Sequence, residues 1–228
     1  MSILTIIDPG SGMQPGIVHA FDHAGIEVEV TDDPLAVEQA AAVVLPWTGP
    51  LGDALPALEE RELTEPLRDL ARRQVPVLGV GAGSLLLAAT LADGSPGLGL
   101  LPGRVVPVPV KDGGGGSPRT LTGWTPLTPT ATDPLFDGIV AGAWFYFVAA
   151  HVLEAGVPAT GDAAHETPPG APVTIVATGE TNHTRFAAVV RAGTVAGVLF
   201  EAGKSGDVGL RVLTNFGRSV QAMRQANG

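Results

Sequence analysis

Apolar residues along this chain come in short blocks whose character changes halfway. ILTIID (3–8) is a continuous apolar run closed by a carboxylate, the pattern of a strand buried on both faces. After the GSG turn, Pro15 fits a first helical position, Ile17, Val18 and Phe21 make one face, and Gly25 is the stop. IEVEVTDD (26–33) alternates as a strand, and AAVVLPW (41–47) is another apolar strand. The periodicity of 53–73 predicts a helix, with Pro56 tolerable in its first turn and Pro66 marking a break or kink. VPVLGV (75–80) predicts a fourth strand and SLLLAATLA (84–92) a helix. Strands alternating with helices predict a mostly parallel sheet flanked by helices, an α/β architecture.

The second half is richer in strands. GLLPGRVVPVPV (99–110), TLTGWTPLTPT (120–130), AWFYFVAAHVL (143–153) and VTIVATGE (173–180) are strand-like, with Pro and Gly between them. RFAAVVRAGTVAGVLFE (185–201) predicts a hairpin turning at Arg191-Ala192-Gly193-Thr194. A closing amphipathic helix sets Val212 or Leu213, Phe216, Val220 and Met223 at three- and four-residue steps. The segments 111–118 and 154–172, rich in Gly, Pro and Ala, read as flexible loops. With no internal repeat and no linker, the expectation is one domain over 1–228.

Composition narrows the function classes. The 228 residues, 45% hydrophobic, allow a large core, yet no apolar run reaches the ~18 residues of a membrane span. MSILTIID lacks the basic start and small-residue cleavage site of a signal peptide, so a cytoplasmic protein is expected. A net charge of −10, with Lys111 and Lys204 the only lysines, argues against nucleic acid, whose phosphates need clustered cations. The chain has no cysteine, which removes disulfides, thiolate metal ligands and a thiol nucleophile.

Few residues carry chemistry on their own. GVGAGS (79–84) is a strand–glycine–helix junction that can point backbone N–H groups at an anion. It also approaches a dinucleotide fingerprint, but with GxGxG spacing and after the fourth strand instead of the first. A turn needing positive φ and close helix–strand packing accounts for it equally. Ser84 lies about a helical turn beyond the tip at Gly81. His19 and His23 stand four apart on a helix with Asp22 between them, but no third ligand is evident, so no metal and no cofactor is expected. Glu201 ends a strand where side chains face a site crevice, yet no Ser or His stands in register with it. His151 and His165 have no recognisable partner.

IIDPGSG (6–12), VTDDP (30–34), VLPWTGPLGDAL (44–55), VPVLGVGAGSLLL (75–87), GLGLLPGRVV (97–106), GWTPL (123–127), FYFVAAHV (145–152) and the stretch 186–216 together resemble the class I glutamine amidotransferases. Within that family the similarity is to the glutaminase subunit of imidazole glycerol phosphate synthase, and it runs nearly end to end. The resemblance implies a flavodoxin-like sheet with added antiparallel strands in the C-terminal half, and a Cys–His–Glu triad in which a thiolate attacks a glutamine amide. The cysteine belongs in a G-[IV]-C-x-G elbow, and the other two residues in F-H-P-E-K-S. Here Gly81 stands at the cysteine position, Glu201 at the histidine and Gly203 at the glutamate, while Phe200, Lys204 and Ser205 remain. Leu85 replaces a substrate-holding glutamine. The oxyanion segment P-G-V-G reads Pro46-Trp47-Thr48-Gly49, beside Ala82, and H-S-Y reads Ala149-Ala150-His151.

Three functions follow as expectations. The first is a catalytically inactive subunit that still docks on a (β/α)8 cyclase, the partner the resemblance implies. Asp8, Gly10 and Gly12 match a motif near that interface, although Pro9, Ser11 and Gln14 depart from it. The second is a small-molecule binding protein that holds a carboxylate or phosphate in space vacated at Gly81. The third is a hydrolase or lyase built on Glu201, with His151 or Thr48.

Overall fold

The structure is a computed structural model that describes residues 4–10, 15–108, 120–157, 172–181 and 184–227. Nine strands form one sheet in the order β2-β1-β3-β4-β12-β11-β10-β7-β8. Its parallel part is β2 (Val28–Thr31), β1 (Leu4–Ile7), β3 (Val43–Trp47), β4 (Val77–Gly81) and β12 (Val195–Val198). β11 (Thr184–Ala192), β10 (Thr174–Thr181), β7 (Leu121–Pro129) and β8 (Trp144–Ala149) extend it antiparallel. β1, β3, β4 and β12 are buried at every position, as continuous apolar runs require. A smaller sheet joins β5 (Ala88–Thr90), β6 (Leu101–Pro107) and β9 (His151–Ala155).

Helices α1 (Pro15–His23) and α6 (Gly206–Asn227) pack on one another, while α2 (Pro34–Glu38) packs on α4 (Thr64–Arg72). α3 (Leu51–Glu60) and the four-residue α5 (Gly83–Leu86) are the other α-helices among the described residues. α6 buries Val212, Leu213, Phe216 and Val220. Each side chain of that size gains about 1.5–3 kcal/mol on leaving water. Met223, placed on the same face by its spacing, is 44% exposed, because the helix has by then run past the core. No helix among the described residues is long and apolar enough to cross a membrane.

Three elements depart from the periodicity. The helix expected over 53–73 is two helices, with Glu62 between them at φ 57. Pro66 is the cause, since its ring would collide with the Glu62 carbonyl in a continuous helix. The helix expected over 84–92 stops after one turn. Its carbonyls are taken by a later segment: Leu98 N–H donates to Leu86 O at 2.9 Å, Leu101 N–H to Leu87 O at 2.7 Å and Gly99 N–H to Ala88 O at 3.0 Å. Thus 88–90 becomes a strand beside β6, and tertiary pairing overrides a helical pattern. The run 143–153 is not one strand either. It breaks at Ala150 into β8 and β9, which belong to different sheets.

The hairpin turns at Gly193 (φ 58) and Thr194, as its sequence requires. Residues 111–118 and most of 154–172 lie outside the described residues, although Glu154 and Ala155 complete β9. His165 and Gly12 lie outside them as well.

Gly97 makes the pairing of 88–90 workable, because a Cβ there would run into the carbonyls of Ala88 and Leu86. Gly97→Ala is expected to cost about 1–3 kcal/mol of stability, read as a lower urea midpoint with an unchanged slope.

Candidate functional site

The carboxyl ends of β3, β4 and β12 meet at one place, and glycine sets their spacing. Gly83 lies so close to the Leu45 carbonyl that no Cβ fits, and a Cβ on Gly79 would be 2.6 Å from Ser84 Cα. Between them Gly81 adopts φ 61, a conformation that favours a residue without a side chain. Ser84 is turned inward and donates from its hydroxyl to Gly81 O at 2.7 Å, which spends it on the turn. α5, with Ala82 at its start, has a single turn, too short to focus charge on a bound anion.

Glu201 closes the elbow. A Cβ built on Gly81 would sit 2.8 Å from Glu201 Oε1, and the next nearest group outside that side chain is the Trp47 carbonyl at 3.6 Å. One carboxylate oxygen therefore crowds the place where a side chain on Gly81 would begin, and it would have to move aside for one. Phe200 anchors this placement, with its ring 4.3 Å from that of Phe145 and 6.0 Å from that of Phe147. Glu201 N–H donates to Tyr146 O at 2.8 Å. The Ser205 hydroxyl donates to Glu201 O at 2.8 Å and accepts from Tyr146 N–H at 3.0 Å, so β8 and the 201–205 turn are clamped together.

The carboxylate is only 4% exposed, and Oε2 has no hydrogen-bond partner among the described residues. Lys204 Nζ stands 3.7 Å from it, an ion-pair neighbour beyond hydrogen-bond reach. Burial raises the Glu201 pKa, and Lys204 offsets this only in part.

The other positions named from the sequence fall around this point. Trp47 is 3% exposed and turns its indole back on its own loop, with Nε1 donating to Gly49 O at 2.8 Å and Pro50 O at 3.0 Å. The ring and its two carbonyls thus close the segment that the resemblance assigns to the oxyanion, while Thr48 is exposed. Leu85 and Ala149 are buried in the core. Gly203 faces the first turn of α1, where a Cβ would lie 3.1 Å from the Gly16 backbone, a contact tight enough that α1 would have to give by a few tenths of an ångström to admit a side chain.

Asp8 and Gly10 lie beyond the end of β1, where the Asp8 carboxylate accepts from Gly10 N–H at 3.0 Å. His151 lines a cavity of about 540 Å³ between α3, α4 and the β5–β6 connection, together with Leu51, Leu55, Asp93 and Ser95. Neither Gly81 nor Glu201 lines that cavity, so the structure does not bring His151 and Glu201 together there. His19 and His23 are exposed, with ring centroids 6.2 Å apart. Among the described residues no group of three or more acidic or histidine side chains is placed to hold a metal.

One feature escaped the sequence reading. Trp124 on β7 stands opposite Tyr146 on β8, their rings 5.6 Å apart and edge-on, and Pro126 stands opposite Trp144. Trp124 is 51% exposed, Trp144 56% and Val148 42%, while the alternate residues Phe145 and Phe147 are fully buried. Aromatics at successive even and odd positions of 144–147 were the available signal, since a strand must turn one set outward. The outward face adjoins the 201–205 turn through Tyr146, and Gly16 and Gly203 carry the contact on to α1.

Two predictions arise from this geometry. The folded chain holds the Glu201 proton to higher pH than the unfolded chain does. Stability therefore declines as pH rises from the ordinary glutamate range through the raised value, and stays lower above it. Thermal melts across pH should show this component in the wild type and lack it in Glu201→Gln, which should be the more stable at neutral pH. Gly81→Cys alone is expected to lose about 1–3 kcal/mol from strain at positive φ and crowding by Glu201. Adding Glu201→Ala should recover part of that loss in urea unfolding.

No protein-family model matches the chain. It is similar to the imidazole glycerol phosphate synthase subunit HisH of Symbiobacterium thermophilum, 35% identical over 222 residues that cover 96% of this chain and 95% of that one. The subunit of the same name from Moorella thermoacetica is 35% identical over 224 residues, 97% of each chain. Among solved structures, a glutamine amidotransferase superposes with a TM-score of 0.65 at 16% identity over 98% of this chain and 100% of that one. PurLQS from Thermotoga maritima superposes with a TM-score of 0.68 at 19% identity over 96% and 99%. At such identities the structural likeness is one of fold.

Proposed function

The chain belongs to the family of imidazole glycerol phosphate synthase subunit HisH, and on that premise we propose that it is a catalytically inactive member that acts by docking on a (β/α)8 cyclase subunit. The cyclase is that of histidine biosynthesis or of a paralogous pathway. One observation carries the loss of turnover: the Glu201 carboxylate occupies the space where an elbow nucleophile would begin. Gly81 offers no nucleophile, the chain has no thiol, and a carboxylate at the acid–base position would repel a thiolate if one were restored. Triad members act as a unit, so hydrolysis of glutamine should stay at background.

Docking is supported by what surrounds the closed elbow. Trp124, Trp144 and Val148 give an outward apolar face of the kind that marks a protein interface. Through Tyr146 it adjoins the 201–205 turn, where Gly203 lies against Gly16 of α1, and the Asp8–Gly10 turn at the end of β1 is the segment that the resemblance places near the interface. The partner's gain would be stability or the shape of its ammonia entrance, with free ammonium as its nitrogen source. A small anion at the elbow is the weaker reading, because Glu201 already fills the vacated volume with negative charge.

Calorimetric titration with the (β/α)8 cyclase from the same source is the test. One-to-one binding is expected, with no ammonia released from glutamine by the complex. Trp124→Ala should weaken binding by about 30-fold, or ~2 kcal/mol, with little change in melting temperature because the ring is half exposed. No binding at high micromolar concentration would overturn the docking role. Glutamine turnover above background would overturn inactivity.

A further inference from the structure

Arg61 lies just beyond α3, and its guanidinium touches three segments at once. Nη1 donates to Ala57 O in the last turns of the helix at 3.0 Å. Nε is 4.0 Å from an Asp32 oxygen at the exit of β2, and Nη1 is 3.8 Å from Glu60. Nη2 and Cζ fill the space that a Cβ on Gly10 would take. Gly10 is itself at φ 78, and its N–H is held by Asp8, whose own N–H donates to Thr31 O at 2.9 Å. One planar group thus ties the end of α3, the end of β2 and the turn leaving β1 into a single unit.

As a source of fold stability this cluster is weak. The Asp32 and Glu60 side chains are 67% and 83% exposed, and ion pairs of that kind contribute little. Holding an arginine in one rotamer costs side-chain entropy as well. What the cluster does achieve is confinement of the Asp8–Gly10 turn, to which it adds a contact from the end of α3 beside the backbone bond from Asp8 to Thr31.

We infer that Arg61 is a positioning residue of the docking face, holding the Asp8–Gly10 turn in its bound geometry before the partner arrives. The inference rests on the docking function proposed above. A turn that is already ordered loses less freedom on association, so its order appears as affinity.

The test uses the full chain as wild type, Arg61→Ala and Arg61→Lys, with two readouts. One is hydrogen exchange of the Gly10 amide in the free chain, and the other is affinity for the (β/α)8 cyclase. Arg61→Ala is expected to exchange Gly10 faster and to bind about three- to tenfold more weakly, at nearly the same melting temperature. Arg61→Lys keeps the charge but lacks the fork that reaches both Ala57 O and Gly10, so it should behave like the alanine variant. Full affinity in Arg61→Lys would make Arg61 a simple charge contact and overturn the positioning role. Unchanged exchange and affinity in Arg61→Ala would overturn it too. Absence of binding by the wild type would remove the docking function itself and this inference with it, whatever Gly10 exchange shows.

Discussion

Backbone meets backbone where β3, β4 and α5 converge, with Gly83 against the Leu45 carbonyl and Gly79 against Ser84. No side chain fits at either contact, so the elbow can be built only with glycine there. The contact sets how close α5 comes to the sheet, forces Gly81 into positive φ, and brings the end of β12 alongside. What can happen chemically at this end of the sheet depends on which atoms fill the gap above Gly81.

Glu201 fills it, and the arrangement is not free of tension. A buried carboxylate whose Oε2 has no hydrogen-bond partner among the described residues loses its hydration, and a lysine at 3.7 Å returns only part of it. The backbone around the residue is nonetheless tightly held by Tyr146, Ser205 and the Phe145–Phe147–Phe200 cluster. The turn that the resemblance assigns to the triad histidine and glutamate is therefore held at several points of its backbone. On the docking function proposed above, a held turn beside an exposed aromatic hairpin would form part of the surface that meets the partner. Trp47 acts in the same sense, since its indole satisfies the carbonyls of its own loop and blocks the approach from β3.

Much of the scaffold follows from local pattern. Uninterrupted apolar runs placed β1, β3 and β4 in the interior, because a strand covered on both faces has no polar side. Two apolar runs around a glycine turn identified a hairpin over 185–201, which the structure forms from Thr184–Ala192 and Val195–Val198, and three- and four-residue spacing identified most of the buried face of α6. The glycine elbow and the absence of any thiol were equally plain from residue identity. The short helix α5 was overestimated because periodicity cannot anticipate that residues 97–101 will take its carbonyls. The split of β8 from β9 was missed for a related reason, since a change of sheet leaves no mark on hydrophobicity.

The sequence by itself therefore determined the layered sheet, the side-chain-free elbow and the lack of a sulfur nucleophile, all of which are properties of single residues or of their immediate spacing. Only the tertiary structure decided that Glu201 reaches over Gly81, that Gly16 crowds the position of Gly203, and that Arg61 lies across Gly10. Each of these joins residues far apart along the chain. A periodic pattern tells which face of an element is buried, whereas the atom that meets it from another element is fixed by packing.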